Sequence, residues 1–174
     1  MDLVQLILFI LPAYVANSVP VVLGGKTPID MGAKLPDGNR LLGKGKTYRG
    51  LLAGVVSGTL VAIILAMIVP NLFIPAAAQN QKYLIGFALS VGAMLGDIIG
   101  SFIKRRRGMK QSQESFLMDK VAFLITALII AFPFYSPAIS LNAIDVILLL
   151  IITFVLHKFF NWIAFETKLK KVPW

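Results

Sequence analysis

The chain consists of long apolar stretches separated by short polar stretches that hold nearly all of its charge. Five apolar stretches, at residues 3–23, 51–69, 83–103, 116–134 and 141–160, approach or exceed the ~20 residues that a helix needs to cross a bilayer. We therefore expect an all-α membrane protein with five transmembrane helices, formed by a single domain over residues 1–174.

The composition supports a location in lipid. Hydrophobic residues make up 57% of the chain, whereas soluble domains typically hold about 45–50%. The first apolar stretch follows Asp2 rather than a basic segment, and no small-residue cleavage site follows it, so we interpret it as a membrane span and not as a signal peptide. The absence of cysteine excludes disulfides and thiolate metal sites.

The basic residues are distributed unequally between the polar stretches. If the five helices alternate in direction, 16 of the 17 Lys and Arg residues lie on one side of the membrane, and Lys82 lies on the other. The positive-inside rule makes the basic side cytoplasmic. This predicts an external N-terminus, a cytoplasmic C-terminus and a multi-pass cell-membrane protein with cytoplasmic loops at residues 24–50 and 104–115. A net charge of +9 would favour nucleic acid in a soluble protein, but this distribution favours topology and anionic lipid headgroups instead.

Glycine, basic and acidic residues are mixed in the first loop, which ends in DGNRLLGKGKTYRG. Backbone N–H groups of glycine-rich turns approach anions closely, and two Gly-Lys-Thr triplets place an ammonium beside a hydroxyl. A flexible, positively charged linker is the simpler interpretation, but it would not require the acids and threonines. We expect a phosphate-binding loop that faces the cytoplasm. Its candidate substrate-binding residues are Lys26, Thr27, Asp30, Arg40, Lys44, Lys46, Thr47 and Arg49.

This loop does not match the Walker P-loop. The Walker motif has a glycine five residues before Gly-Lys-Ser/Thr, and Arg40 occupies that position before Gly45. If the motif is started at Gly38 instead, Gly45 stands where Ser or Thr is required. A long apolar span, and not the strand of a βαβ unit, precedes the loop. The sequence therefore predicts phosphate binding with a different geometry.

One face of the third predicted helix carries polar residues near its cytoplasmic end, at helical spacing: Asp97, Ser101, Lys104 and Arg105. A carboxylate inside a membrane span costs ~2.5–3.5 kcal/mol on insertion scales, so Asp97 is expected to face protein or water and to have a partner. Asp119 begins the next helix, and two carboxylates beneath basic loops suit Mg²⁺ with a polyphosphate. The alternative is that Asp97 forms an ion pair with a neighbouring Lys or Arg and locks two helices together. Asn17, at the inner end of the first helix, either lines the same cavity or packs against another helix.

Over essentially its whole length, the sequence resembles a known family. The stretches ANSVPVVLGGKTPID and DGNRLLGKGKTYRG look like the signature region of the archaeal CDP-archaeol synthases. The stretch GDIIGSFIKRRRGMK, with the later Asp119-Lys120, resembles the wider superfamily of CTP-dependent phosphatidate cytidylyltransferases. The first motif is the more specific of the two, because it is long.

This resemblance implies an Mg²⁺-dependent enzyme that transfers CMP from CTP to 2,3-bis-O-geranylgeranylglycerol 1-phosphate and releases pyrophosphate. Its expected partners are CTP, an isoprenoid ether lipid phosphate and membrane lipids, with a homodimer left open. The resemblance implies Asp97 and Asp119 as metal ligands, and Lys104 and Arg105 as catalytic residues beside them. Ser101 and Lys110 match the same pattern as substrate-binding residues, and Asn17 and Lys120 are further candidates for substrate binding.

The chain departs from the superfamily pattern at one point. Bacterial and eukaryotic members carry a longer closing motif with His-Gly-Gly and a second aspartate, and this chain has only Asp119-Lys120. The number of carboxylates on the metal is therefore open, and Asp30 and Asp37 are candidates to complete the set.

Two other functions compete with this interpretation. A CDP-alcohol phosphotransferase carries D-G-x2-A-R, and Asp37-Gly38 opens such a pattern, but Leu41 replaces the alanine and the downstream aspartates are absent. A small transporter or anionic-lipid-binding protein would explain the hydropathy and the charge, but not the glycines, threonines and acids within the basic loops. Formation of lipid-linked CMP and pyrophosphate from CTP distinguishes the synthase from both.

Overall fold

A computed structural model describes residues 1–111, 113, 115, 118–119 and 121–168. The named helices are α1 (Leu3–Ser18), α2 (Pro20–Leu23), α3 (Tyr48–Ile68), α4 (Gln79–Arg106), α5 (Ala122–Tyr135) and α6 (Ala143–Glu166). The described residues form no β-strand, and the bridges Pro28–Thr47 and Lys34–Arg40 are isolated. The expected all-α architecture is therefore confirmed for this part of the chain.

Four helical stretches are long and apolar enough to cross a membrane: Leu3–Leu23, Tyr48–Ile68, Gln79–Arg106 and Ala143–Ile163. Helix α5, with 14 residues, is also apolar but shorter. At 1.5 Å per residue its length is about 21 Å, less than the ~30 Å of a bilayer's hydrocarbon core. The expected fourth span, residues 116–134, overlaps α5, but its residues 116, 117 and 120 lie outside the described part of the chain.

Small residues allow the helices to approach one another closely. The buried face of α3 carries small residues at four-residue spacing: Gly50, Gly54, Gly58, Ala62 and Ala66. A Cβ on Gly58 would lie 2.5 Å from the carbonyl oxygen of Pro12 in α1. On α4, a Cβ on Gly96 would lie 2.6 Å from backbone atoms of Ala122 and Phe123 in α5. Such close contact supplies the van der Waals packing that holds membrane helices together where burial of apolar surface drives little association.

Polar side chains at the start of α4 satisfy carbonyl groups at the ends of neighbouring helices. Gln79 donates to the carbonyl of Ala66 at the end of α3, and Gln81 donates to that of Phe134 at the end of α5. The ammonium of Lys82 donates to the carbonyl of Pro70, just after α3, and the residue is 4% exposed. Lys82 is the single basic residue that the charge pattern assigned to the opposite side, and in the structure its ammonium has a backbone carbonyl as its acceptor. The last four carbonyls of a helix lack an intrahelical donor, so these contacts stabilise the helix ends.

Helix α6 lies against α1 through a polar contact inside the bundle. The hydroxyl groups of Tyr14 and Thr153 are 2.6 Å apart, and Thr153 is fully buried. Many apolar side chains of α6, including Ile147, Ile151 and Val155, are exposed and available to lipid.

Candidate functional site

The polar residues gather at one end of the bundle, which we call the loop side. It comprises the end of α4, residues 107–111, Asp119 and the segment between α2 and α3, residues 24–47, which we call the glycine loop. Contacts between the glycine loop and α4 bring these elements together.

Asp30 organises the interior of the glycine loop. Its side chain is fully buried and pairs with the guanidinium of Arg40. The same carboxylate accepts backbone N–H bonds from Gly32 at 3.1 Å, Leu42 at 3.1 Å and Gly43 at 2.9 Å. Burial alone would raise the pKa of Asp30, but these hydrogen bonds favour the charged form and hold its pKa well below its usual range. Asp30 and Arg40 were expected to contact substrate, yet here both groups hold the loop in shape.

Thr47 joins the two ends of the glycine loop. Its hydroxyl oxygen accepts from the backbone N–H of Gly50, which caps the first turn of α3, and from that of Gly25, each at 3.1 Å. The N–H of Ile29 donates to the carbonyl of Lys46 at 2.7 Å, beside this contact. Thr47 is 6% exposed. Its hydroxyl, expected to bind substrate, therefore positions the loop on α3 in this structure.

Lys46 and Asp97 connect the glycine loop to α4. The ammonium of Lys46 donates to both oxygens of Asp97, at 2.7 and 2.6 Å. Both side chains are partly exposed, at 24% and 28%. The sequence left open whether Asp97 pairs with a basic side chain or faces a metal. In the structure it has a lysine partner, which comes from the glycine loop and not from a neighbouring helix.

Lys104 and Asp119 form a second ion pair, between α4 and the start of the next helical segment. The ammonium of Lys104 lies 2.8 and 3.0 Å from the two oxygens of Asp119. Asp119 also accepts from the backbone N–H of Ser115 at 2.8 Å. Gly100 permits this arrangement, because a Cβ there would lie 3.0 Å from the carbonyl oxygen of Met118. The two predicted carboxylates thus lie on facing elements, each beside one lysine.

Arg106 is a site residue that the sequence reasoning missed. Its guanidinium donates to Asp37 at 2.6 Å and to the carbonyl of Arg40 at 2.6 Å, and it lies 5.4 Å from the ring centre of Phe102. It therefore ties the middle of the glycine loop to the end of α4. The run of four basic residues at 104–107 contained the signal, but its spacing alone did not show which of them reaches the other loop.

The other predicted site residues surround these pairs. Exposed on the loop side are Lys26, Thr27, Lys44, Arg49 and Lys110. Partly buried are Asn17, Ser101 and Arg105, and the guanidinium of Arg105 donates to the carbonyl of Lys110 at 3.2 Å. Lys120 lies outside the described residues. The four exposed cations among these form no ion pair with a described residue, so their charge is available to an anion.

Whether a divalent cation fits this site depends on the carboxylates of the two ion pairs, Asp97 and Asp119. Among the described residues there is no group of three or more His, Cys, Asp or Glu side chains that could enclose a metal. Asp97 and Asp119 are 28% and 32% exposed, so ligands from solvent can reach them. Mg²⁺ commonly takes one or two carboxylates and fills its remaining positions with water and phosphate oxygens. The residues present fit that mode of binding.

The fold and this geometry define the class of the protein: a helical membrane protein with a charged, loop-built site at one end of its bundle. Comparisons with known proteins narrow the class. The family model described as "CarS-like: CDP-archaeol synthase" matches residues 1–174. A CDP-archaeol synthase of Pyrococcus abyssi is 45% identical over 95% of both chains. One from Methanococcus maripaludis strain C7 is 41% identical over the full length of both.

A solved structure of "an intramembrane enzyme for archaeal membrane lipids biosynthesis" shares the fold. It matches with a TM-score of 0.78 at 35% identity, over 89% of this chain and 91% of that chain. The chain belongs to the CDP-archaeol synthase family, whose members are CTP-dependent cytidylyltransferases.

Proposed function

We propose that this protein transfers CMP from CTP to 2,3-bis-O-geranylgeranylglycerol 1-phosphate, which gives CDP-archaeol and pyrophosphate. Family membership over the whole chain supports this activity. The observation that carries it to particular residues is the Lys46–Asp97 contact, which joins the glycine loop to the polar face of α4. A linker that only set topology would not need to be folded on a buried carboxylate and docked on a second one.

The reaction is a substitution at the α-phosphorus of CTP. An oxygen of the lipid phosphate forms a bond to that phosphorus, the bond to the β-phosphate oxygen breaks, and pyrophosphate leaves with the electron pair. The second pKa of a phosphate monoester is about 6, so the nucleophile is ionised near neutral pH. No general base is therefore required, which agrees with a chain that has one histidine.

The chain's own contribution is binding and charge. Lys26 and Lys44 on the exposed surface of the glycine loop, with Arg49 in the first turn of α3, bind the triphosphate of CTP. Lys110 and Arg105 approach it from the end of α4. Asp97 and Asp119 would hold Mg²⁺, which neutralises charge on the triphosphate oxygens when it is bound. Cationic groups placed before the reaction stabilise the charge that develops as pyrophosphate leaves.

The membrane arrangement follows from the charge distribution. We propose five spans, with α5 and the residues before it as the fourth, the N-terminus outside and the loop side in the cytoplasm, where CTP is found. The exposed apolar faces of α3 and α6 support a single membrane domain in which the isoprenoid tails remain in the bilayer. A reporter fused to the C-terminus should therefore respond only from the cytoplasm, and a response from the outer face would reverse this orientation.

The activity is tested with purified protein, Mg²⁺, labelled CTP and the lipid phosphate. We expect Asp97→Asn to reduce turnover by about 100-fold or more, the scale seen when one preorganised electrostatic group is removed from a site. Asp2→Asn is the matched control, since it makes the same chemical change at the other end of the bundle, and asparagine caps α1 as well as aspartate does.

Three outcomes separate the possibilities. The proposal is supported if the wild type forms lipid-linked CMP and pyrophosphate and, of the two variants, only Asp97→Asn loses this activity. Wild-type turnover in Asp97→Asn would remove Asp97 from the metal site. Binding of the lipid without any nucleotide transfer would favour the anionic-lipid-binding alternative.

A further inference from the structure

The ion pair of Lys46 with Asp97 occupies the carboxylate that the proposed reaction assigns to the metal. The ammonium donates to both carboxylate oxygens, at 2.7 and 2.6 Å. Within the described part of the chain, Asp97 has no other side-chain hydrogen bond or ion pair. Lys46 is therefore the group that any cation must displace or approach in order to bind this carboxylate.

Lys46 and a divalent cation cannot both bind Asp97 favourably. Mg²⁺ lies about 2.0–2.1 Å from a ligand oxygen, which would place it within roughly 4 Å of an ammonium that bonds the same carboxylate. Two positive charges at that separation repel each other, and more strongly in a partly buried site than in water. The cation therefore gains Asp97 fully only after the ammonium leaves.

The lysine side chain is able to leave, whereas the carboxylate stays in place. Asp97 lies nine residues before the end of α4, within its regular helical part, and its side chain is short. Lys46 reaches it on a flexible four-carbon stem from the loop, and its backbone is held separately through the Ile29–Lys46 hydrogen bond. The ammonium can thus rotate away without unfolding the loop.

The other lysine–aspartate pair differs in this respect. Lys104 is 9% exposed and Asp119 is also bonded to the backbone of Ser115. The side chain of Lys104 is 11% exposed, against 24% for that of Lys46, so its ammonium has less access to a ligand arriving from solvent. The exchangeable pair is the one that joins the glycine loop to α4.

We propose that Lys46 is a metal-exchange residue. Without nucleotide, its ammonium takes the place of the divalent cation on Asp97. When CTP binds, the ammonium moves to an oxygen of the triphosphate and the cation takes Asp97. This inference rests on the proposed function for the identity of the nucleotide. Its consequence is that metal and CTP bind cooperatively, and each raises the affinity for the other by the same factor.

The exchange predicts opposite effects of one substitution on the two ligands. Lys46→Met keeps most of the stem and removes the charge. It should tighten binding of Mn²⁺ alone by about tenfold, within the 5–150-fold range of typical coupling between sites. It should also weaken CTP binding. The factor by which CTP raises the affinity for Mn²⁺ should fall towards one, which means no enhancement.

The experiment is a Mn²⁺ titration of the full chain in detergent, followed by electron paramagnetic resonance of the free ion, with and without CTP and with no lipid phosphate. Lys34→Met is the matched control, because Lys34 is an exposed lysine of the same loop whose side chain pairs with no described residue and which has no assigned role at the triphosphate. Lys46→Arg, which retains a cation for Asp97, should bind Mn²⁺ alone as the wild type does. Circular dichroism confirms that each variant is folded.

Tighter Mn²⁺ binding in Lys46→Met but not in Lys34→Met supports the exchange. Equal tightening in both variants would overturn the exchange, because the effect would then come from a general loss of positive charge. Unchanged Mn²⁺ affinity in both variants would overturn it as well. Asp97→Asn separates the exchange from the proposed function. If Asp97→Asn binds Mn²⁺ as tightly as the wild type does, Asp97 is not a metal ligand, and that part of the proposed function is refuted. If Asp97→Asn binds Mn²⁺ more weakly and Lys46→Met binds it as the wild type does, only the exchange is refuted.

Discussion

Replacement of Asp30 by asparagine tests whether one buried carboxylate holds the glycine loop together. The substitution keeps the size of the side chain but removes its charge and one acceptor oxygen. One oxygen accepts from Gly32 and Arg40, and the other accepts from Leu42, Gly43 and Arg40. Whichever oxygen becomes the amide nitrogen, at least one backbone N–H and one guanidinium N–H lose their acceptor.

The cost follows from these losses. A buried donor without an acceptor costs about 1–3 kcal/mol, and breaking a buried ion pair costs about 3–5 kcal/mol, with overlap between the two figures. Arg40 is 22% exposed and recovers part of its hydration, so we take about 3 kcal/mol as the expected loss of loop stability. At 1.4 kcal/mol per factor of ten, this makes local opening of the loop about 100-fold more frequent.

Hydrogen–deuterium exchange of the protein in detergent measures that opening. Amides in peptides from residues 24–47 should exchange about 100-fold faster in Asp30→Asn, while those of α4 should not change. Asp37→Asn is the control, because the Asp37 side chain is 38% exposed and its partner Arg106 keeps its bond to the carbonyl of Arg40. Loop exchange in Asp30→Asn that matches the wild type would refute the structural role of this carboxylate.

The same carboxylate fixes the pH range in which the loop is stable. Its pKa is lowered in the folded protein, so its stabilisation is present above the unfolded value, near 4, and declines as the pH falls below that value towards the folded pKa. Loop exchange, corrected for its intrinsic pH dependence, should therefore show constant protection between pH 5 and 8, and the protection should decline below pH 4.

Two further predictions concern packing and capping. Gly96→Ala should destabilise the protein by about 3 kcal/mol, because the added Cβ meets the backbone of α5. Gly45→Ala is the control, since no atom lies within 4 Å of the added Cβ, and it should leave the midpoint of thermal unfolding nearly unchanged. Equal midpoints for the two variants would contradict the close contact between α4 and α5. Thr47→Val should lower the free energy of unfolding by about 1–2 kcal/mol, because the cap of α3 is lost. Thr47→Ser keeps the hydroxyl and should retain most of the stability. A serine variant as unstable as the valine variant would show that the hydroxyl is not the stabilising group.

The sequence by itself determined the membrane class and the positions of most helices. Lipid offers the backbone no hydrogen-bonding partner, so a long apolar run has few alternatives to a helix. The predicted spans 3–23 and 51–69 overlap observed helices within a few residues. The fourth was less predictable, because apolar content alone does not show where the described helix α5 begins.

The sequence also determined which residues carry charge on the loop side, but only the tertiary structure decided what each charge contacts. Asp30, Asp97 and Asp119 were all expected near phosphate or metal, yet Asp30 is enclosed by its own loop and the other two have lysine partners. Arg106 showed no special spacing, and yet it forms a second link between α4 and the glycine loop, beside that of Lys46 with Asp97. The two pairs that join the glycine loop to α4, Lys46–Asp97 and Arg106–Asp37, depend on distances between residues 51 and 69 positions apart. Those distances are set by how closely glycines let the helices approach, and that is a property of the packed bundle rather than of any local pattern.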